Sequence, residues 1–117
     1  VSEFIDYGCD NENNIDFYFY SHAISQSILE SESNLVIIIS ESGNNVSICA
    51  NKWHDIRSCV CWTDDMARIM RQQYDCNILC IPSNYVDKNN ILNIVNTFLQ
   101  TDYKSDFNLD KFNPSFI

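Results

Sequence analysis

The sequence predicts a single α/β domain built around a parallel β-sheet. Short hydrophobic segments alternate along the chain with longer segments in which apolar residues recur every three or four positions. Strands that alternate with amphipathic helices are typical of βαβ units, whose consecutive strands run parallel. A chain of 117 residues suits one hydrophobic core, so we expect one domain over residues 1–117.

Four hydrophobic segments are the candidate strands, at residues 4–5, 35–39, 56–62 and 78–81. The segment 35–39 is continuously aliphatic, which predicts a strand buried on both faces of a parallel sheet. The segment 56–62 mixes polar and apolar residues, so we expect this strand to be less deeply buried. The four segments lie far enough apart for helical connections between them.

Three segments show helical periodicity, at residues 16–32, 64–74 and 87–99. The segment 64–74 begins with acidic residues and carries Arg68 and Arg71 later, an order that the helix dipole favours. A fourth, shorter helix is expected to follow the polar turn after residue 39 and to end near Lys52. Together with the strands, these helices complete the predicted α/β pattern.

The composition excludes several classes of function. Seven Lys and Arg against 16 Asp and Glu give a net charge of −9, which argues against binding to nucleic acid. The sparse cations also argue against an efficient phosphate site. The longest aliphatic run has five residues, whereas a membrane-spanning helix needs about 20. The first residues show no secretory signal, so we expect a cytoplasmic protein with no membrane partner.

The spacing of the six cysteines favours reduced thiols inside the core. A zinc site needs paired knuckles, but Cys59 and Cys61 are too close in sequence for the usual chelate, and the Cys76–Cys80 spacing has no second matching pair. We therefore expect no metal site, with a disulfide or a metal as the alternatives. Reduced thiols agree with a cytoplasmic chain.

The most informative stretch runs from the aliphatic strand through the turn Ser40-Glu41-Ser42-Gly43 into the short helix. In open parallel sheets, ligands bind at the carboxyl ends of the strands, and a helix N-terminus there offers free N–H groups to an anion. The pattern therefore predicts a ligand site at this turn. A plain strand-to-helix turn is the alternative, because a single glycine is a weak signal.

Residues 40–79 also carry a series of residues that fits a known pattern without a gap: Gly43, Ser47, Ile48, Ala50, Asn51, Lys52, Ile56, Arg57, Cys61, Ala67, Arg71, Asp75, Asn77 and Leu79. In this register the chain resembles the family of ribose-5-phosphate isomerase B and galactose-6-phosphate isomerase. The family sequence reads Cys-Gly-Thr-Gly-x-Gly-x-Ser-Ile-Ala-Ala-Asn-Lys, then Gly-Ile-Arg-Ala and Arg-x-His-Asn-Asp-x-Asn-Val-Leu. Residues 4–8, 16–20 and 94–103 extend the resemblance on both sides.

The resemblance implies a Rossmann-like three-layer sandwich with four to five parallel strands and a C-terminal helical arm. It implies a phosphorylated sugar as ligand and a homodimer or homotetramer whose active sites are shared between subunits. The family interconverts aldose and ketose phosphates by acid–base proton transfer, without a metal or organic cofactor.

Several departures from the family fall on the residues that carry its chemistry. Ser40 stands at the position of the cysteine base, Ser42 at that of a threonine, and Gln73 at that of the ring-opening histidine. Glu41 and Asn45 replace loop glycines, and the family's phosphate-binding arginines align with Phe107 and Lys111. The family's first strand, which carries an Asp-His pair, has no counterpart in these residues. The resemblance thus predicts a degenerate site.

We therefore predict that Ser40, Ser42 and Gln73 occupy degenerate catalytic positions, and that Glu41 replaces the base if it is buried. The predicted ligand-binding residues are Gly43, Asn44, Asn45, Ser47, Asn51, Tyr74 and Lys111. Asn51, Lys52, Arg57 and Asn77 match the family, but helix capping and loop anchoring explain them equally well. His22 and His54 are weak candidates for a proton relay.

Three functional hypotheses follow. The first is a sugar-phosphate isomerase family member whose catalysis is impaired or lost. The second is a non-catalytic partner subunit of a hetero-oligomeric isomerase, completed by a homologous chain. The third is a binding module for a small ligand that carries no charge.

Overall fold

The computed structural model describes residues 35–104. In this part of the chain, three strands form a parallel sheet: β1 (Val36–Ser40), β2 (Ser58–Val60) and β3 (Ile78–Pro82). The strand order is β1-β3-β2, with Val36 and Ser58 both paired with Ile78. The predicted parallel α/β fold is confirmed. The predicted strand at residues 4–5, the helix at 16–32 and the chain after residue 104 lie outside the described residues, so the total strand number stays a prediction.

Three helices connect and follow these strands: α1 (Asn44–Asn51), α2 (Asp64–Tyr74) and α3 (Lys88–Gln100). The Thr63 hydroxyl caps α2 by accepting a hydrogen bond from the Met66 N–H at 3.2 Å, and the Asp87 carboxylate caps α3 through the Asn90 N–H at 2.9 Å. Helix α2 has the predicted bounds, and α3 is displaced by one residue. These caps explain why the periodic segments begin where they do.

The degree of burial differs from the prediction at β1. We expected the aliphatic segment 35–39 to be buried on both faces, but β1 is only half-buried and Ile39 is 54% exposed. The fully buried strand is β3, because it lies between β1 and β2 in the described sheet. Strand β2 is also shorter than the predicted segment 56–62. Hydrophobicity identified the strands but not their order in the sheet.

The core forms two layers, one on each face of the sheet. Successive residues of β3 point to opposite faces, so Ile78 and Cys80 face α1 while Leu79 and Ile81 face the other side. On the α1 face they pack with Val46, Ala50 and Ile56. On the other face they pack with residues that include Cys59, Cys61, Ala67, Ile94 and Phe98. This arrangement is the predicted three-layer sandwich.

The cysteines between residues 35 and 104 are free thiols: Cys49, Cys59, Cys61, Cys76 and Cys80. All except Cys49 are buried. The described residues hold no cluster of three or more side chains suited to a metal ion. None of the helices in this same part of the chain has the length and apolar character needed to cross a membrane.

Candidate functional site at the carboxyl ends of the strands

The turn between β1 and α1 depends on one glycine. Gly43 has a φ of 75°, in the left-handed region that residues with a Cβ rarely adopt. Its N–H donates to the Ser40 Oγ at 3.1 Å. A Cβ at Gly43 would lie 3.3 Å from the Val60 Cγ1, at the end of β2. The turn therefore folds back across the sheet and needs glycine at this position for both conformation and space.

Glu41 and Asn45, which replace glycines of the family pattern, do not need a left-handed backbone conformation. Among the described residues with a side chain, positive φ values occur at Asp55 and Asp75, and neither Glu41 nor Asn45 is one of them. The turn thus keeps its shape without the additional glycines of the family pattern. The Glu41 side chain is exposed, so the burial on which its predicted role as a base depended is absent from this chain.

The turn after β1 is joined to the turn after β3. The Ser40 carbonyl accepts hydrogen bonds from the Ser83 N–H at 2.8 Å and from the Ser83 Oγ at 3.1 Å. The Asn84 N–H donates to the Glu41 carbonyl at 3.1 Å. We call residues 40–47, 62 and 83–85 the carboxyl edge. Its backbone is fixed by these bonds, while Asn44 and Asn45 in the first turn of α1 are exposed.

Beneath this edge, hydroxyl and amide groups hold α1 to β2. The buried Ser47 Oγ lies 3.0 Å from the Ser58 Oγ, which in turn lies 3.3 Å from the Cys80 Sγ. The Asn51 side chain accepts from the Ser58 N–H at 2.8 Å and donates to the Ser58 carbonyl at 3.0 Å. Ser47 and Asn51, both predicted as ligand-binding residues, therefore make internal bonds. Burial raises the pKa of the Cys80 thiol to about 11, although the Ser58 and Ser47 hydroxyls oppose the shift.

Two aromatic residues complete the carboxyl edge. Trp62 follows β2 and Tyr85 follows β3, and their rings stack with centroids 5.0 Å apart and planes at 27°. Both side chains are exposed. Our sequence reasoning did not select them. In the sequence, each of these two strands is followed within three positions by an aromatic residue. This pattern indicates a shared site only if β2 and β3 are neighbours in the sheet, which the sequence does not show.

The remaining predicted site residues lie elsewhere. Gln73 and Tyr74 are in the last turn of α2, which leads to the amino end of β3, whereas Ser40 lies at the carboxyl end of β1. Gln73 is exposed, and Tyr74 is half-buried against the core. A single chain therefore does not bring Ser40 and Gln73 together. His54 is exposed beside Asp55, while Lys111 and His22 lie outside the described residues.

A charged network occupies the opposite, amino end of the sheet. The Asp75 carboxylate accepts from the Arg71 guanidinium at 2.6 Å and from the Arg57 guanidinium at 3.2 Å. Arg57 Nε also donates to the Asp75 carbonyl at 2.7 Å, and the Asn77 side chain accepts from the Arg57 N–H at 2.8 Å. We call Arg57, Arg71, Asp75 and Asn77 the amino edge. These four residues match the family pattern, and here they anchor the chain between α2 and the strands.

This combination of a helix-covered parallel sheet and a polar turn at the carboxyl strand ends defines a Rossmann-like α/β protein. The profile of the Ribose/Galactose Isomerase family matches residues 1–113. The chain belongs to this family, and the resemblance seen in the sequence is confirmed.

Individual relatives agree with this assignment. Ribose-5-phosphate isomerase B of Escherichia coli is 30% identical over 102 residues, which are 87% of this chain and 68% of the relative. The crystal structure of a ribose 5-phosphate isomerase from Thermotoga maritima superposes with a TM-score of 0.78 at 34% identity, covering 85% of this chain and 68% of that chain. Ribose-5-phosphate isomerase B of Clostridium thermocellum gives a TM-score of 0.78 at 31% identity, covering 85% and 67%.

Proposed function

We propose that this chain binds a phosphorylated sugar at the carboxyl edge and that its aldose–ketose isomerase activity is impaired or lost. The names of the relatives support the ligand class. The geometry supports this location. The N-cap of α1 is Gly43, which has no capping side chain, and the first turn of the helix holds no acidic residue. The Asn44 N–H reaches the Ser42 Oγ at 3.4 Å. A helix N-terminus of this kind favours an anionic group such as a phosphate or an enediolate.

The observation that supports the loss of activity is that Ser40 has a hydroxyl group where the family has its catalytic base, and that this hydroxyl makes a structural hydrogen bond. By resemblance, this position holds the base that moves the proton between C1 and C2. A cysteine thiol has a pKa of about 8.5, whereas a serine hydroxyl does not ionise near neutrality without a partner base. Here the Ser40 Oγ accepts a hydrogen bond from the Gly43 N–H and thereby fixes the turn. Residues 40–47 contain one carboxylate, Glu41, and its side chain is exposed, so this turn holds no buried carboxylate that could act as a base.

An isomerase assay with ribose 5-phosphate tests this proposal. We expect saturable binding by calorimetry, with turnover about 10²- to 10⁴-fold below that of the E. coli relative, the range that a missing general base costs. The Ser40→Cys variant restores a thiol and should raise turnover at least about tenfold. Ser42→Cys, which places a thiol two residues away, is the matched control and should not.

Two results would contradict the proposal. Wild-type turnover equal to that of the relative, and abolished by Ser40→Ala or Glu41→Gln, would show a working base in the turn. Absence of any binding of ribose 5-phosphate, with binding of unphosphorylated ribose, would instead favour the module for an uncharged ligand.

A second candidate function is a partner subunit that completes a site with another chain, as a homodimer, a homotetramer or a hetero-oligomer. One observation favours it: Ser40 and Gln73 lie at opposite ends of the sheet, so a site that uses both positions requires two chains. The described arginines also support it. Arg57 and Arg71 are paired with Asp75, and Arg68 with Asp65, so these three guanidinium groups are already engaged and a second chain would supply an arginine for a phosphate.

Purification from the native cell followed by native mass spectrometry tests this second candidate. A complex that contains a second homologous chain would support a hetero-oligomeric isomerase with this chain as the non-catalytic subunit. A stable homodimer without such a chain would contradict the hetero-oligomer. We also propose a cytoplasmic location, because the thiols between residues 35 and 104 are unpaired.

A further inference from the structure

We propose that Trp62 and Tyr85 form a stacking platform for the ring of the sugar bound at the carboxyl edge, an inference that rests on the proposed function. We call these two residues the aromatic pair. The platform adds apolar contact to a site whose other groups are backbone amides, hydroxyls, side-chain amides and the exposed Glu41 carboxylate. Ligand sites commonly combine such an apolar surface with a few polar groups that fix orientation.

The fold places the aromatic pair beside the turn. Trp62 lies two residues after Val60, and the Val60 side chain lies next to Gly43, with its Cγ1 3.3 Å from where a Cβ of residue 43 would be. The Cys61 N–H donates to the Cys80 carbonyl at 3.0 Å, so the bonding between β2 and β3 continues to the residue before Trp62. Tyr85 directly follows Ser83 and Asn84, which bond the turn after β1. The three strand ends thus bring the pair and the N-terminus of α1 to one edge.

The two rings are also preorganised for contact. Trp62 is 46% exposed and Tyr85 is 63% exposed, although each already covers one face of the other. A turn bond from the Tyr85 N–H to the Pro82 carbonyl at 3.0 Å holds the tyrosine backbone. Rings fixed in this way lose little freedom when a ligand covers them, so the contact is gained at low entropic cost.

The chemistry of the pair selects the ring of a sugar over its phosphate. The faces of aromatic rings carry partial negative charge and attract the weakly positive C–H face of a sugar ring. The α1 N-terminus, by contrast, favours an anion. The ligand is therefore expected to place its ring over the pair and its phosphate toward α1.

Tryptophan fluorescence gives a direct test, because the chain has two tryptophans. Trp53 lies just beyond the C-terminus of α1 and packs against the core, at the end of the helix away from the turn. In a Trp53→Phe variant, the remaining emission comes from Trp62 and should be quenched saturably by ribose 5-phosphate. In a Trp62→Phe variant, the emission of Trp53 should stay unchanged as ligand binds.

Calorimetry on alanine variants measures the contribution of each ring. We expect Trp62→Ala and Tyr85→Ala each to weaken the binding of ribose 5-phosphate by about 3- to 10-fold, from the usual strength of aromatic contacts. Leu92→Ala removes a comparably exposed apolar side chain from α3 and is the matched control, with an expected change below about twofold. All three side chains are exposed, so the variants should fold.

The outcomes separate the two proposals. Ribose 5-phosphate binding with constant Trp62 emission and unchanged affinity in both alanine variants would overturn the platform and leave the proposed function intact. Absence of ribose 5-phosphate binding to the wild-type chain would overturn both. Quenching of Trp62 by a lysine- and arginine-rich peptide, but not by the sugar phosphate, would assign the pair to a basic protein partner and would also overturn the platform.

Discussion

The two ends of the sheet differ in what their side chains do. At the amino edge, Arg57, Arg71, Asp75 and Asn77 bind one another or nearby backbone groups. At the carboxyl edge, the bonds are made mainly by backbone and hydroxyl groups, and the larger side chains project outward. Four of the 14 residues that match the isomerase pattern form the amino edge. Their presence is therefore explained by the fold and is not a sign of activity.

The largest effect is expected from breaking the amino edge. Asp75→Ala leaves two arginines without their carboxylate, and the Arg71 side chain is only 14% exposed. The variant also places alanine at a φ of 51°, which adds a smaller backbone cost. We expect a loss of about 2–4 kcal/mol in the free energy of unfolding, below the full value for a buried pair because Arg57 is partly solvated. Urea denaturation followed by circular dichroism measures this loss.

The exposed Arg68–Asp65 pair supplies the matched control for that experiment. Its side chains are 47% and 77% exposed, so Asp65→Ala should cost less than about 0.5 kcal/mol. Equal effects of Asp75→Ala and Asp65→Ala would contradict the structural role of the amino edge. Loss of sugar-phosphate binding in a folded Asp75→Ala chain would contradict the functional separation of the two edges.

A smaller effect is expected from pH, through the thiol beneath the carboxyl edge. Burial raises the pKa of Cys80 to about 11, so the folded state holds this proton more tightly than the unfolded state. Stability from this group is fully present below pH 9 and is lost as pH rises toward 11. The expected loss is about 2–3 kcal/mol, since each pKa unit corresponds to about 1.4 kcal/mol.

Urea denaturation in reducing buffer between pH 8 and 11 measures this dependence. Cys80→Ala and Cys80→Ser remove the titrating thiol, so both variants should lose less stability over this pH range than the wild type, whatever their stability at pH 8. An unchanged decline in both variants would show that Cys80 is not the titrating group.

The smallest of the three effects is expected at the turn. Gly43→Ala forces a Cβ into the left-handed region and to within 3.3 Å of Val60, which should cost about 1–2 kcal/mol of stability. Binding of ribose 5-phosphate should weaken as well, because the variant distorts the start of α1. Val60 also packs against the core, so the steric part is measured by comparing Gly43→Ala in the wild-type and Val60→Ala backgrounds. The cost of Gly43→Ala should be smaller in the Val60→Ala background, and a cost near zero there would show that backbone conformation contributes little.

The sequence was sufficient for the elements but not for their arrangement. Helix α2 was predicted with its observed bounds, because early acids and later arginines mark the same periodic segment. The Thr63 cap, which the structure shows, fixes the start of the helix at the same place. The burial of β1 was predicted wrongly, because a continuous aliphatic segment does not distinguish a strand in the centre of a sheet from one nearer its edge. The order β1-β3-β2 depends on contacts between distant segments, which local periodicity does not encode.

The same limit applies to the candidate site. The turn at Ser40–Gly43 was predictable because its glycine and its flanking strand and helix are adjacent in sequence. The aromatic pair was not, because Trp62 and Tyr85 become neighbours only once β2 and β3 are paired. The internal bonds of Ser47 and Asn51 with Ser58 likewise depend on how α1 lies on the sheet.

The reliance of the turn on a single glycine has a consequence for the history of the chain. Gly43 alone in residues 40–45 adopts a positive φ, and Ser40 fixes the turn through its Oγ, whereas Glu41, Asn44 and Asn45 are exposed. Substitutions at these three exposed positions therefore leave the path of the main chain intact. Mutations there can accumulate without unfolding the domain, and each changes the surface that a ligand meets. Such a scaffold can lose one chemistry, or acquire another ligand preference, while remaining the same fold.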